Sequence, residues 1–245
     1  MARIVLITGA TSGIGLELAK QFHAGGDKVI ILGRKGRDEL AYELFYQTSY
    51  IQADLSQEDA GARVLSFLRL AEISRLDLLI HNAAIGYYGS FENQGKPSVE
   101  TLLQTNLYAP IALTHALLPK MSQSGKIVFV SSVAANLPVP DYAVYGASKA
   151  ALSGFARNLR LEQTELSIQT IYPGATRTPM HEKSGVPRGK LKLERFPSAQ
   201  EVASKLYKAI DSKRSEVTIG QGNSVLRVLG RYFQPLLDTV MRRLA

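Results

Sequence analysis

Residues 3–15 read RIVLITGATSGIG, and this stretch decides the fold. An aliphatic run from Arg3 to Thr8 leads directly into a turn with three glycines. A strand that enters a helix through such a turn places free backbone N–H groups and the positive end of a helix dipole where a phosphate can bind. Glycine suits the turn because a side chain would meet the phosphates or the strand beneath the helix. A tight turn that only closes a βα unit is the alternative.

Short β-branched runs recur along the chain and alternate with segments of helical period. The runs are residues 3–8, 28–33, 48–52, 77–81, 126–131, 167–172 and 216–219. Helices are expected near residues 14–24, 38–45, 57–73, 99–121, 143–165 and 199–211. This alternation is typical of a parallel sheet covered by helices on both faces. We therefore predict a single α/β domain of Rossmann type, with a doubly wound, seven-stranded parallel sheet.

The composition excludes several classes of protein. Of 245 residues, 45% are hydrophobic and 20% charged, which indicates a globular chain and not a disordered one. There is no cysteine and the four histidines are far apart, so we predict no metal site. No apolar stretch reaches the roughly 18 residues of a membrane span, and no signal-peptide cleavage site follows the first run. The expectation is a cytoplasmic protein.

Positive charge exceeds negative charge, with 29 Lys and Arg against 21 Asp and Glu, for a net charge of +8. The basic residues are scattered, and the sequence has neither a helix-turn-helix pattern nor a strand that combines aromatic and basic residues. We therefore predict no nucleic-acid binding.

The C-terminal residues form a separate amphipathic segment. Residues 221–245 combine an apolar stripe at helical period with four arginines and one aspartate. We divide the chain into a dinucleotide-binding and catalytic domain at 1–220, with a substrate loop at 174–197, and a basic helical extension at 221–245. The extension can pack on its own domain, pack on a second subunit, or lie on an anionic membrane surface as a peripheral contact. We also expect a homo-oligomer.

The end of the second predicted strand indicates the choice of cofactor. An acidic residue there would accept from the ribose 2′-OH of NAD, whereas an arginine accommodates the 2′-phosphate of NADP. Here Gly33 is followed by Arg34 and Lys35, and the first acid is Asp38. This favours NADP(H) over NAD(H). The alternative is that Arg34 is a solvated charge at a strand end.

Two residues one helical turn apart can act as an acid–base pair. Tyr145 and Lys149 are four apart on a predicted helix, so their side chains lie on one face. A nearby ammonium favours the phenolate and lowers the pKa of a tyrosine. Ser132 follows the fifth strand at the carboxyl edge where such sheets bind ligands, and its hydroxyl can contact a carbonyl oxygen. Ser131 is the alternative candidate for that role.

Five motifs occur in one order along residues 3–220. They are TGATSGIG at 8–15, HNAA at 81–84, Asn106, Ser132 with YGASK at 145–149, and Pro173-Gly174 followed by Thr178. Together they resemble the short-chain dehydrogenase/reductases, in the subgroup called classical, with the NADP preference that Arg34 indicates. The chain departs from the usual NNAG of that family, since His81 and Ala84 replace the first Asn and the Gly.

The resemblance implies a role for each matching residue. Tyr145 would be the general acid in reduction and the base in oxidation, Lys149 would hold the nicotinamide ribose, Ser132 would orient the carbonyl, and Asn106 would hold a water in a proton relay. The catalytic residues are thus Asn106, Ser132, Tyr145 and Lys149. The cofactor would contact Thr8, Gly9, Thr11, Ser12, Gly13, Ile14, Gly15, Arg34, Asp54, Leu55, Asn82, Ala83, Tyr145, Lys149, Pro173, Gly174 and Thr178.

The expected activity is hydride transfer between NADPH and a small-molecule carbonyl or secondary alcohol. Residues predicted at the substrate end are Ser132, Tyr87, Leu137 and Met180, and the apolar character of this region favours a hydrophobic substrate. One alternative is a reductase of 3-oxoacyl thioesters on an acidic carrier, which the positive charge would suit. The other is a regulatory protein that binds NADP(H) without catalysis.

Overall fold

The computed structural model describes residues 2–40, 42–235 and 237–239. Seven strands form one sheet; they are β1 (Ile4–Thr8), β2 (Lys28–Gly33), β3 (Ser49–Gln52), β4 (Leu76–His81), β5 (Met121–Val130), β6 (Ser167–Tyr172) and β7 (Glu216–Thr218). All six pairings are parallel, and the strand order is β3-β2-β1-β4-β5-β6-β7. The predicted seven-stranded, doubly wound sheet is confirmed.

Helices cover both faces of this sheet. They are α1 (Gly13–Ala24), α2 (Leu44–Gln47), α3 (Ala60–Leu70), α4 (Lys96–Leu103), α5 (Ala109–Leu117), α6 (Ala143–Glu162), α7 (Met180–Lys183), α8 (Ala199–Ile210) and α9 (Gln221–Tyr232). Helices α1 and α8 bury apolar side chains on one face, and α3, α5 and α6 bury theirs on the other. Within β1, Ile7 faces the first layer and Leu6 the second, which explains why the strand is apolar at every position.

The predicted helix at residues 38–45 is wrong. The chain instead makes a 3₁₀ turn at Arg37–Glu39 and a single helical turn at α2. The Glu39 carboxylate accepts a hydrogen bond from the Gly36 N–H at 2.8 Å and closes the short turn. Leu40 then has extended backbone angles, so the helix cannot continue through it.

The long helix predicted at residues 99–121 is interrupted. Between α4 and α5 the backbone forms a π-helical turn at Gln104–Tyr108, and a 3₁₀ turn at Leu118–Lys120 ends the segment. A π turn inserts one extra residue and rotates the side chains beyond it relative to those before it, which is a common device at functional sites. Helical periodicity alone does not reveal such an insertion. Strand β5 also begins at Met121, within the range predicted as helical.

The strand order reverses direction between β1 and β4, which pair at Val5 with Leu78 and at Ile7 with Ile80. From β1 the chain proceeds outward to β2 and β3, and from β4 it proceeds the other way. The loops at the carboxyl ends of these two strands therefore diverge and leave a crevice, which is where ligands bind in open α/β sheets.

Helix α9 packs on the rest of the fold through its polar side. Arg227 forms an ion pair with Glu216, donates to Asn136 Oδ1 at 3.0 Å, and lies 3.5 Å above the centre of the Tyr172 ring. Gly230 is buried so close to the backbone of Asn136 that a Cβ would lie 2.1 Å from its carbonyl oxygen. Residues 236 and 240–245 of the predicted extension lie outside the described residues.

We expect Arg227 to hold α9 in place. Replacement by Met removes three polar contacts and leaves Glu216 partly buried without its partner, so α9 should be less stable by about 2 kcal/mol. Amide hydrogen exchange in α9 should accelerate about thirtyfold, because that factor corresponds to this free energy. Arg231→Met is the matched control. Arg231 is more exposed, and its Nη1 lies 3.7 Å from Glu216 Oε2, which is too far for a hydrogen bond. Equal exchange in the two variants would contradict this role.

Candidate active site

The glycine turn after β1 is held tightly against the end of β4. A Cβ on Gly9 would lie 2.6 Å from the Cα of Ala83, and a Cβ on Gly15 would lie 2.4 Å from the Asn82 side chain. Gly9 also has a φ of +67°, in the left-handed region that favours glycine. Ser12 is the N-cap residue of α1, and its side chain makes no capping hydrogen bond. The first backbone N–H groups of α1 are therefore suited to bind an anion.

Asn82 and Thr8 brace this turn from behind. The Thr8 hydroxyl accepts hydrogen bonds from the N–H groups of Asn82 and Ala83, each at 3.1 Å. The Asn82 amide donates to the carbonyl oxygens of Thr8 and Gly9, each also at 3.1 Å. These four bonds fix the separation between β1 and β4 at the crevice.

A cavity of about 720 Å³ runs from this turn along the carboxyl edge of the sheet. Thr8 and Gly15 lie behind its wall. The other residues predicted to bind the cofactor all line it: Gly9, Thr11, Ser12, Gly13, Ile14, Arg34, Asp54, Leu55, Asn82, Ala83, Tyr145, Lys149, Pro173, Gly174 and Thr178. Residues from six separate parts of the chain are thus brought to one elongated site.

One end of the cavity is polar and carries a cation. Arg34 follows β2 directly and is exposed at the mouth of the cavity. The segment after it is fixed by Tyr50, whose hydroxyl donates to the carbonyl oxygen of Lys35 at 2.7 Å. Asp54 accepts from the Ser56 N–H at 2.9 Å, so its carboxylate is held in a turn at the same end.

The other end of the cavity contains the predicted acid–base pair on α6. The Lys149 ammonium donates to the carbonyl oxygen of Val130 at 3.0 Å and lies 5.9 Å from the centre of the Tyr145 ring. Burial lowers the pKa of Lys149 to about 8. Burial also raises the pKa of Tyr145, and a hydrogen bond with Ser132 opposes that rise. The pKa of Tyr145 therefore shifts in the opposite direction to that expected from the lysine, because desolvation dominates.

The structure distinguishes the two candidate serines. Ser131 is buried, and its hydroxyl donates to the carbonyl oxygen of Lys149 at 3.0 Å and lies 2.8 Å from the Ser153 hydroxyl. It therefore ties β5 to α6. Ser132 is the N-cap of a 3₁₀ turn at Val133–Ala135, and its hydroxyl accepts from the Ala134 N–H at 3.2 Å. Ser132 is the serine whose hydroxyl interacts with Tyr145.

Asn106 lies in the π-helical turn and is fully buried. Its side chain accepts from the Ile85 N–H and donates to the Ile85 carbonyl oxygen, both at 2.8 Å. It also donates to the Ser148 hydroxyl at 3.2 Å, which in turn donates to the carbonyl oxygen of Tyr145 at 2.7 Å. Asn106 thus joins the segment after β4 to the helix that carries Tyr145.

The substrate end differs in part from the prediction. Ser132 and Met180 line the cavity, whereas Tyr87 and Leu137 are absent from its described lining. Tyr87 packs beside Gly89, and Leu137 packs beside Gly230 of α9. The apolar lining also includes Val139, Pro179, Leu191 and Phe196.

Sequence reasoning missed Tyr142, which also lines the cavity. Its ring meets that of Tyr145 edge to face at a centroid distance of 5.8 Å, and its hydroxyl is buried with no partner among the described residues. Burial raises the pKa of Tyr142 to about 12, so the hydroxyl stays neutral. Its position three residues before Tyr145, one helical turn away, was the available signal.

The family can be assigned once this arrangement is described, because residues 3–188 match the short chain dehydrogenase family. The chain belongs to the short-chain dehydrogenases. It is therefore an oxidoreductase of that family by descent. It is 32% identical over 262 residues to a dehydrogenase/reductase SDR family member 7B from Xenopus tropicalis, covering 97% of this chain and 82% of that protein.

Solved structures of short-chain dehydrogenases resemble this one along most of the chain. One from Sphingobium yanoikuyae, determined in complex with NADPH, has a TM-score of 0.81 at 28% identity and covers 99% of this chain and 94% of its own. One from Shigella flexneri, complexed with NADP, has a TM-score of 0.78 at 28% identity and covers 88% and 95%.

His81 replaces the usual first asparagine of the family motif and is buried beneath the site. Its Nε2 lies 2.9 Å from the Thr114 hydroxyl on α5, and its ring stacks on Phe129 at a centroid distance of 4.9 Å. Burial lowers the pKa of His81 to about 3, so the ring is neutral in the folded protein at ordinary pH. In this short-chain dehydrogenase, His81 thus links β4 to α5, the helix that follows the π turn containing Asn106.

We expect His81 to make the fold sensitive to acid. The pKa of His81 is lower in the folded state than the usual 6.5, so at acid pH the unfolded state binds a proton that the folded state does not. The free energy of unfolding therefore decreases as the pH is lowered from about 6.5 to about 3. At pH 5 the loss relative to neutral pH is about 2 kcal/mol. Urea unfolding at pH 7 and pH 5 measures it. His81→Asn should remove this part of the pH dependence, and His115→Asn, at an exposed position, should not.

Proposed function

We propose that this short-chain dehydrogenase is an NADPH-dependent oxidoreductase that interconverts a carbonyl group and a secondary alcohol on a hydrophobic small molecule. The observation that carries the proposal is the cavity itself. At one end it has the Ser132 and Tyr145 hydroxyls beside the Lys149 ammonium, and at the other it has an exposed arginine next to a phosphate-binding turn.

The residues present fit a dinucleotide phosphate. Gly9 and Gly15 leave no room for side chains at the turn, and the uncapped start of α1 suits a pyrophosphate. Arg34 is positioned at the mouth of the same cavity, where a guanidinium can form charge-assisted hydrogen bonds with a ribose 2′-phosphate. Two similar structures, at 28% identity, were determined with NADPH or NADP, which supports the same cofactor here.

The protein residues supply position and a proton. When bound, the nicotinamide supplies or accepts the hydride. In the reductive direction Tyr145 donates its hydroxyl proton to the carbonyl oxygen, and Ser132 donates a hydrogen bond to the same oxygen. Burial raises the pKa of Tyr145, and its hydrogen bond with Ser132 opposes that rise. Positive charge on Lys149, whose Nζ lies 5.9 Å from the centre of the Tyr145 ring, would stabilise the developing phenolate. Asn106 acts through the backbone that it holds, by fixing α6 relative to the end of β4.

The apolar lining supports a hydrophobic substrate. Val139, Met180, Leu191 and Phe196 line the same cavity as Ser132 and Tyr145. Burial of apolar surface there would favour a carbonyl carried on a chain or ring over a small hydrophilic one. A bound apolar substrate would also exclude water from the Tyr145 hydroxyl.

Tyr145→Phe should abolish most of the activity. Removal of the hydroxyl deletes the proton donor but keeps the ring, so we expect kcat/KM for hydrophobic ketones to fall at least about 100-fold. NADPH oxidation measures turnover, and calorimetric titration should find NADPH affinity within a few-fold of the unchanged protein. Tyr108→Phe is the control, because Tyr108 is exposed outside the cavity.

Two outcomes would contradict this assignment. Full turnover by Tyr145→Phe would exclude Tyr145 as the acid. Tight NADPH binding with no turnover of ketones, diketones or 3-oxoacyl thioesters by the unchanged protein would favour a regulatory binding protein.

Arg34→Asp should reverse the cofactor preference. A charge-assisted hydrogen bond to the 2′-phosphate is replaced by repulsion, so the ratio of kcat/KM for NADPH over NADH should fall about 10- to 100-fold. The measurement is turnover of one ketone with each nucleotide. Arg69→Asp makes the same charge change at an exposed position outside the cavity and should leave the ratio unchanged. An unaltered ratio in Arg34→Asp would refute the role of Arg34.

A further inference from the structure

Helix α9 is amphipathic in the opposite sense to the helices of the domain core. Asn223, Arg227 and Gly230, at positions i, i+4 and i+7, form the side that contacts the protein. Asn223 lies so close to Gly174 that a Cβ there would come within 2.3 Å of its side-chain nitrogen. The polar side of the helix is therefore the buried one.

The apolar side of α9 faces outward. Five large apolar side chains on this helix and at its C-cap are between 43% and 68% exposed, and we call them the apolar stripe: Val225, Leu226, Val228, Tyr232 and Phe233. Single exposed apolar residues are ordinary, but a contiguous row on one helix face indicates a binding surface. The fold does not require the stripe, because α9 is held by its polar side.

We propose that the apolar stripe of α9 docks on the surface of a bilayer that contains anionic lipid. In such a contact a helix lies in the plane of the membrane interface, with its apolar face among the acyl chains and its basic residues near the headgroups. Because α9 is already folded on the domain through Arg227, docking does not require the helix to order first.

Charge supports an anionic surface as the occupant. The chain has a net charge of +8, and besides Arg227, which pairs with Glu216, residues 221–245 contain three arginines against one aspartate. Arg231, on the same helix as the stripe, is partly exposed. Basic residues near a negative leaflet add attraction that is screened within about 10 Å at 0.1 M salt.

The same observations disfavour a second copy of the chain as the occupant. A stable protein interface takes about 20 to 30 residues from each side, whereas the stripe has five side chains on one helix. Two copies would also bring the same excess of positive charge together. A membrane contact needs only one apolar helix face.

Helix α9 lies beside a loop that contributes to the cavity. Gly230, on the protein-facing side of the helix, packs against Asn136 and Leu137, which belong to the same loop as Ser132 and Val139 of the cavity lining. Docking through α9 would therefore hold this part of the proposed substrate site near the lipid surface. This consequence rests on the proposed function, whereas the docking itself does not.

Vesicle flotation with the full chain tests the proposal. Vesicles of phosphatidylcholine with phosphatidylserine should bind the protein, and vesicles of phosphatidylcholine alone should bind it at least tenfold less. The triple substitution Val225→Ser, Val228→Ser and Tyr232→Ser should reduce binding to the anionic vesicles at least tenfold. The control Tyr108→Ser with Leu161→Ser removes equally exposed apolar side chains from other segments and should bind as the unchanged protein does.

Three results would overturn the proposal. The first is that the unchanged protein does not bind anionic vesicles, and the second is that the triple variant binds them equally well. The third is that the unchanged protein forms a dimer in sedimentation velocity, the triple variant does not, and neither binds vesicles. The substituted side chains are exposed, so the melting temperature of each variant should stay within about 2 °C of the original. Vesicle binding is measured without turnover, so a failure of the proposed reaction would leave this test intact.

Discussion

The close contact between the glycine turn and the end of β4 is the constraint on which the rest of the site depends. Gly9 meets Ala83 and Gly15 meets Asn82 at distances that leave no room for a Cβ. This contact places the N-terminus of α1 at the crevice. The Thr8 hydroxyl reinforces it by accepting hydrogen bonds from the N–H groups of Asn82 and Ala83. A side chain at Gly9 or Gly15 would separate β1 from β4, and the crevice would lose the geometry proposed to bind phosphate.

A second set of contacts holds the catalytic helix at the right place on that crevice. Asn106 joins Ile85 to Ser148, and Ser131 joins β5 to the backbone of Lys149. These bonds are between 2.8 and 3.2 Å long, and together they connect α6 to the ends of β4 and β5. The proposed proton transfer from Tyr145 requires its hydroxyl to be held within a fraction of an ångström, so this network would serve as preorganisation.

Burial sets the electrostatics of the same region. It raises the pKa of Tyr145, lowers that of Lys149 to about 8 and keeps His81 neutral. All three groups are thus biased toward their uncharged forms by desolvation. A dry site of this kind strengthens every remaining charge interaction, including the one proposed between the Lys149 ammonium and a Tyr145 phenolate.

The sequence of this short-chain dehydrogenase by itself determined the seven strands, their parallel direction and, through the family motifs, many of the residues that line the cavity. The reason is that these features depend on local patterns: apolar runs, glycines at a turn, and Tyr145 with Lys149 at helical spacing. Even Ser132 was favoured over Ser131 by its position just past a strand. The contacts that distinguish the two serines are long-range, however, and became visible only in the folded chain: Ser131 contacts Lys149 and Ser153, whereas Ser132 contacts Tyr145.

Tertiary structure alone decided three other features. The π turn at Gln104–Tyr108 follows from Asn106 reaching Ile85, a contact between residues 21 apart that no periodicity reveals. Tyr142 joined the site because its ring packs against Tyr145. The sequence showed that α9 is amphipathic but did not show which side faces the protein. That depends on contacts of Arg227 with Glu216 and Asn136, which belong to other parts of the fold. Local patterns specify elements, and long-range contacts choose how the elements face one another.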